Sequence, residues 1–351
     1  MKIEKINGLY RKPRLTATSR VPLLLWLPLI LIIVSLVSMV ALKTTVIQDN
    51  NVIPGQDVVR KHSWKVIAVG DIACEPSNAN FNEGNGIVDA CAQKSVGRAI
   101  EREHADAVLL LGDIQYLYGK FEDFERSFVP YFREIEAPLY VAAGNHDYGN
   151  GSVPNGDLSG YKKAFDQYFP KATYEKEGKT YYEFNLGPWQ LYALDSNCAY
   201  VGGCGQGSPQ YDWLTSKVNS EDKCSIAFWH HPLFTSGTHK GDIDILDRKP
   251  FWDVLQFAGT DVVLNGHDHH YERFASKLPD GTVSQDGIRE FISGAGGYSL
   301  RKVAEPYPSG QEKVVDDQFG YLYLELFPGR YEWQYKNVYG DVLDSGMDDC
   351  R

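Results

Sequence analysis

Apolar residues along this chain fall into short separated runs, several of which stop abruptly at a polar cluster. Trp64–Val69, Ala107–Leu111, Leu139–Ala143, Cys224–Trp229 and Val262–Leu264 are continuous enough to suit strands buried on both faces. Between them the spacing becomes helical, over Ala92–His104, Phe121–Ile135, Ser208–Val218 and Phe251–Phe257, with Phe121, Phe124, Phe128 and Phe132 on one face of the second. Ser208 ahead of Pro209 has the chemistry of an N-cap followed by the first helical position. Strand, helix and strand in succession predict parallel pairing, with ligand sites at the strand ends and the loops after them. Thr180–Leu186 with Trp189–Leu194, and Tyr321–Phe327 with Tyr331–Tyr335, are aromatic and β-branched pairs around Gly-Pro or Pro-Gly. They predict hairpins, so the sheets should be mixed. A further strand, Arg289–Ser293, runs into Gly294-Ala295-Gly296-Gly297, and the Gly-, Asn- and Ser-rich stretch 149–160 reads as a loop.

The longest apolar run has a different character. Val21–Leu42 is 22 residues without a charge, about 33 Å as a helix against a hydrocarbon core of roughly 30 Å. Lys2, Lys5, Arg11, Lys12, Arg14 and Arg20 precede it against one acid, Glu4. The positive-inside rule then predicts a cytoplasmic basic segment (1–20), a transmembrane signal anchor (21–42), a linker (43–62) and an extracytoplasmic domain (63–351). A cleaved signal peptide is the rival, giving a secreted domain, but the run is long for one and no small-residue cleavage site follows. Removing the N-terminal segment's net +5 from the chain's −11 leaves about −16 on the exported part. That argues against a nucleic-acid partner, while the anchor itself makes the membrane a partner. Nothing in the sequence sets an oligomeric state.

At 43% hydrophobic and 23% charged residues the composition is that of a globular protein able to bury a substantial core. All six cysteines, Cys74, Cys91, Cys198, Cys204, Cys224 and Cys350, lie beyond the anchor, where an oxidising compartment favours disulfides. Fifteen pairings are possible, and proximity favours Cys74 with Cys91 and Cys198 with Cys204, leaving Cys224 and Cys350 to staple the tail.

The polar clusters carry the chemistry. Five apolar runs end in Gly70-Asp71, Gly112-Asp113, Gly144-Asn145-His146-Asp147, His230-His231-Pro232 and Gly266-His267-Asp268-His269-His270. Any one of these has a bland reading, since Asp after Gly is a common turn residue and Asn tolerates a left-handed turn. Together they bring carboxylates, an amide and imidazoles to strand ends, a donor set suited to iron, manganese or zinc in a reactive site, unlike the thiolate cage of a structural zinc.

The order GD, GDxxY, GNHD, a His-bearing strand end and GHxH resembles the calcineurin-like metallophosphoesterases, and GDIQY with GHDHHYER is similar to their purple acid phosphatase branch. The resemblance covers residues 63 to about 300. It departs from the family's usual pattern at Gly70-Asp71, which keeps only the aspartate of an Asp-x-Gly start, and at AFWH in place of VxxH. It implies an α/β fold of four layers, two mixed β-sheets packed as a sandwich and flanked by helices. It further implies two metal ions, the first held by Asp71, Asp113, Tyr116 and His269, the second by Asp113, Asn145, His230 and His267, with Asp113 bridging. The family places Fe(III) at the tyrosine-bearing site and a divalent zinc, iron or manganese at the other. His146 falls where relatives neutralise or protonate at the phosphoryl group, and His239 where purple acid phosphatases keep a second outer histidine. His231 and His270 match no ligand position and read as polar neighbours.

These residues predict a metal-dependent hydrolase of small phosphate esters, with monoesters preferred. Diesters or nucleotides are the enzymatic alternative, because the same pair of cations serves both. A surface-binding module that has lost its chemistry would lack ligands or His146, and neither is missing.

Overall fold

In a computed structural model, residues 63–149, 156–218, 223–241 and 245–351 are described. The predicted cytoplasmic segment, anchor and linker lie outside them. Among the described residues no helix is long and apolar enough to cross a membrane.

The first sheet is built from β1 (Trp64–Val69), β2 (Ala107–Leu111) and β3 (Leu139–Ala142), extended by three antiparallel strands near the C-terminus, β11 (Gly320–Phe327), β12 (Arg330–Asn337) and β13 (Val342–Asp349). Its order is β13-β12-β11-β1-β2-β3, with β1, β2 and β3 parallel. The second sheet contains β4 (Tyr182–Leu186), β5 (Trp189–Ala193), β6 (Ser225–Phe228), β7 (Val262–Asn265), β8 (Tyr271–Phe274), β9 (Arg289–Ser293) and β10 (Gln311–Val315). Its order is β10-β8-β9-β7-β6-β5-β4, parallel from β5 through β6 and β7 to β9. Both sheets are mixed, as the hairpins required.

Two-residue periodicity explains the layers. Val66 and Ala68 of β1, with Leu109 and Leu111 of β2, pack against Leu191, Ile226, Phe228 and Leu264 of the other sheet. Their alternates, Ile67, Val69, Val108 and Leu110, face helices α1 (Gln93–Glu101), α2 and α3 (Ser159–Tyr168). Helix α2 runs through Phe121–Asp123, a π-helical turn Phe124–Phe128 and Val129–Phe132. Its Phe124, Phe128 and Phe132 are buried, as the spacing predicted, while Phe121 packs at the edge. The outer face of the second sheet, Ala227, Trp229 and Val263, is covered by α4 (Pro209–Lys217) and α5 (Lys249–Phe257). The sequence is therefore helices, sheet, sheet, helices, with apolar strands buried on both faces.

Ser208 caps α4 by accepting from the Tyr211 backbone N–H. Cys74–Cys91 and Cys198–Cys204 pair as proximity indicated, and the two cysteines left over form Cys224–Cys350. The last ties the start of β6 to the residue after β13 across 126 positions. In the chain-entropy picture such a loop closure contributes about 4–5 kcal/mol by restricting the unfolded chain.

Candidate metal centre

Strands β1, β2, β3, β6 and β7 all deliver their C-terminal ends to one region, and every predicted ligand projects from the turn that follows. Close approach of these turns dictates glycine beside several of them. A Cβ on Gly144 would lie 2.1 Å from Asp113 Oδ1, and one on Gly112 would lie 2.6 Å from His230 Nδ1. Asp71, Asp113 and His267 adopt left-handed backbone conformations, with φ of 60°, 51° and 71°. For non-glycine residues this costs on the order of 1–3 kcal/mol each and is tolerated where surrounding contacts enforce it. Those contacts are visible: Asp71 Oδ2 accepts from His267 N–H at 2.7 Å, and Asp113 Oδ1 from His146 N–H at 2.8 Å.

At the centre is the buried Tyr116 hydroxyl, 2.8 Å from Asp71 Oδ1, 2.8 Å from Asp113 Oδ2 and 3.1 Å from His269 Nε2. One phenol proton cannot serve two carboxylates, and Asp113 also has His230 Nε2 at 3.2 Å. Burial, reinforced by Asp113, lifts the Asp71 carboxyl to about 8. Asp113, also opposed by burial, is nonetheless held well below the usual carboxylate range by His230 and His146. The two carboxyls titrate as a coupled pair, with Asp71 the one that holds a proton more tightly and Asp113 the one that keeps its charge. Burial and both carboxylates keep Tyr116 as the phenol.

His230 donates through Nδ1 to the Leu111 carbonyl at 2.8 Å, which turns Nε2 toward Asp113 Oδ2 and His267 Nδ1, each 3.2 Å away. Burial works to lower its pKa, but Asp113 outweighs it and raises it to about 9. A proton on His230 therefore balances the carboxylates. His269 is oriented by Ser299 Oγ at 2.7 Å from Nδ1, while burial holds the His267 and His269 imidazoles neutral. Asp71, Asp113 and His230 each place a ligand atom within 4.8 Å of the others, and His230, His231 and His267 form a second such group. Converging acceptors that need borrowed protons to coexist are what a cation-binding site requires. The donor set fits metal ions on the chemistry of its own residues. Cys224, Asp261 and Cys350 also cluster, but both sulfurs there are committed to the disulfide.

The remaining candidates border this centre. His146 donates through Nδ1 to the Leu117 carbonyl at 2.8 Å, leaving Nε2 3.9 Å from Asp113 Oδ2. His239 stacks near His267, with ring centroids 4.0 Å apart. His231 is fixed by Ser196 Oγ at 2.8 Å, whereas His270 turns away to Glu272 at 3.0 Å. Asn145 follows β3 in the same turn as His146, whose backbone N–H meets Asp113.

Two supporting groups escaped sequence reasoning. Asp147 accepts from the backbone N–H groups of Ile114 at 3.1 Å and Gly144 at 2.9 Å, locking the GNHD turn onto the GDxxY turn. Its place in the GNHD motif beside Asn145 and His146 was the available signal. Tyr298 lies flat on Tyr116, centroids 3.4 Å apart and planes within 2°, and nothing in its local sequence marked it.

The protonation pattern predicts how metal-free protein responds to pH. Asp71 and Asp147, both raised by burial to about 8 from 3.8, bind protons more tightly when folded. Their stabilising contribution is complete below about pH 4 and is lost as pH rises through 8; His230, raised to about 9, adds a loss between 6.5 and 9, while His231, His267 and His269, lowered by burial, work the other way only up to about 6.5 and are outweighed between pH 5 and 8. Chelator-treated protein should therefore unfold at lower denaturant concentration at pH 8 than at pH 5. Greater stability at pH 8 would contradict this charge assignment.

With that geometry in hand, the comparisons identify the class: residues 65–271 match the calcineurin-like phosphoesterase family, and the chain belongs to it. Within it, the chain is similar to purple acid phosphatases. It is 25% identical over 307 residues to tartrate-resistant acid phosphatase type 5 of Mus musculus, covering 80% of this chain and 88% of the relative. It is 30% identical over 148 residues to purple acid phosphatase 15 of Arabidopsis thaliana, covering 39% of this chain and only 25% of that longer protein. The purple acid phosphatase PPD1 from yellow lupin (Lupinus luteus) shares the fold with a TM-score of 0.65 at 20% identity, over 82% of this chain and 54% of that one.

Proposed function

We propose that this chain is a metal-dependent phosphomonoesterase of the acid phosphatase kind, hydrolysing small phosphate esters. The observation that carries the reading is the Tyr116 hydroxyl at the meeting point of Asp71, Asp113 and His269, beside the Asp113–His230 contact. Asp71, Asp113, Tyr116 and His269 are the residues to hold the first cation, and Asp113, Asn145, His230 and His267 the second, with Asp113 common to both. A phenolate and two carboxylates are hard anionic donors, which suits Fe(III) at the first position and zinc, iron or manganese as the divalent partner. When bound, the ions supply Lewis-acid polarisation of the phosphoryl group and an acidified water as nucleophile.

The chain's own residues then do the following work. Asp113 keeps its charge throughout, because His230 and His146 face it. His146, fixed by the Leu117 carbonyl, presents Nε2 to the site and is the group to hand a proton to the leaving oxygen. His239 is the second outer histidine, placed over His267. A cavity of about 320 Å³, lined by Tyr118, Lys120, Asp147, Tyr148, Ser159 and Lys163, lies against the far side of the GNHD turn and includes none of the proposed ligands. We place the domain outside the membrane, anchored by 21–42 or released by cleavage there, and its three disulfides agree with an oxidising compartment.

The test is metal analysis of purified protein beside a panel of monoesters and diesters. Two metal ions per chain and faster monoester turnover are expected. Preferential diester hydrolysis would move the reading to a phosphodiesterase, and metal without hydrolysis of either would move it to a binding module.

A further inference from the structure

The turn after β9, residues 294–301, reaches the candidate centre three times. Tyr298 stacks on Tyr116, Ser299 orients His269, and Arg301 donates its backbone N–H to the His269 carbonyl at 3.1 Å. The Arg301 side chain also approaches: Nη1 lies 2.9 Å from His239 Nε2 and 3.5 Å from Thr238 Oγ1. Since a guanidinium can only donate, His239 Nε2 must accept, and the proton of that imidazole sits on Nδ1. The guanidinium therefore lies one imidazole ring outward from His267, at the rim of the centre.

Nη1 makes both of these contacts, and among the described residues the Nε and Nη2 hydrogens have no other acceptor. Among the described residues Arg301 is in no ion pair, and it is partly exposed in a chain of net charge −11. The nearby lysines are differently engaged: Lys240 Nζ meets the carbonyls of Ala304 and Pro306, and Lys302 Nζ pairs with Asp316 at 3.0 Å. A planar fork of donors at the rim of the candidate centre, in no ion pair among the described residues, is suited to a phosphate or phosphonate oxygen pair.

We propose that Arg301 is a specificity-determining residue that binds a second phosphate of the substrate, joined to the scissile phosphoryl group through one bridging atom. The idea rests on the phosphoesterase reading above and narrows it to substrates of the diphosphate type. The chain of contacts favours this class: Arg301 is separated from His267 by the single ring of His239, and an anion on a long organic spacer would overshoot the rim.

The test uses full-length, metal-loaded protein and two non-hydrolysable probes, methylenediphosphonate and methylphosphonate, titrated calorimetrically with metal content checked afterwards. Wild type should prefer the diphosphonate. Arg301→Gln should reduce the ratio of the two affinities about 10- to 100-fold, the range for a charge-assisted contact. Arg301→Lys should restore part of it, because charge remains and the fork is lost. Both variants keep the backbone contact to His269. An unchanged ratio, including equal weakening of both probes, overturns the proposal and leaves the phosphoesterase reading standing. Failure of loaded wild type to bind either probe removes that reading, and the proposal with it.

Discussion

Asp113→Asn is expected to lower turnover on the order of 10³-fold or more and to reduce the metal retained per chain, while the domain stays folded. The substitution keeps the size of the side chain and one of the two oxygens that accept from His146 N–H and from Tyr116. What it removes is the one charge that faces Tyr116, His230 and His146 together. Folding does not depend on that charge alone, because the helix-facing cores, the sandwich interior and three disulfides lie apart from it. Hydrolysis within tenfold of wild type, with metal content unchanged, would refute the bridging role. Loss of the far-ultraviolet signal would instead show that Asp113 is structural.

The elements around this residue were legible because buried parallel strands write themselves as unbroken apolar runs. β1, β2, β6 and β7 matched to within a residue or two, and their polar ends named the centre. Elements stabilised chiefly by tertiary partners were not legible. β8 is only Tyr271–Phe274 and carries the buried Glu272, whose partners Ser236 and Gln311 come from elsewhere in the chain. β13 reads VLDSGMDD, too acidic and interrupted to look like a strand. It forms because Gly346 leaves room for the Trp333 ring, where a Cβ would come within 2.3 Å, and because Asp344 accepts from Tyr271 and Arg273. Likewise α3 begins at Ser159, inside a stretch that local composition marks as loop, and is held by Tyr161 and Phe165 packing into the helix-side core.

The centre shows the same division. Residues that touch the proposed cations carry chemistry in their identity, and a histidine or aspartate at a strand end can be singled out without a structure. Residues that shape them act through position. Ser299, Tyr298 and Arg301 lie some thirty residues beyond His269 in sequence and meet it only because β9 pairs with β7 in parallel and returns the chain to the same edge. Fold topology supplies that information, and no spacing rule within the motif contains it.

Metal-loaded wild type is expected to absorb visible light, and Tyr116→Phe to bleach that absorption while leaving the disulfides and fold intact. In metal-free protein the Tyr116 phenol stays protonated, because burial, Asp113 and Asp71 all oppose a third negative charge. A trivalent cation reverses that balance, making the phenolate its ligand and giving a phenolate-to-iron charge-transfer band. The same reversal is measurable as proton release. At pH 7, Tyr116, Asp71 with its pKa near 8 and His230 with its pKa near 9 all hold protons before loading, and ligation must expel them. Loading unbuffered protein at pH 7 should therefore acidify the solution, with about one equivalent less released by Tyr116→Phe. The sign follows directly: lowering the pH favours the protonated centre and should weaken metal uptake. The phenylalanine variant should also lose its preference for iron over divalent ions, since the first position is left with two carboxylates and an imidazole. Colourless, iron-free protein with full activity would overturn the iron assignment and the tyrosine's role, leaving a phosphoesterase that runs on two divalent ions.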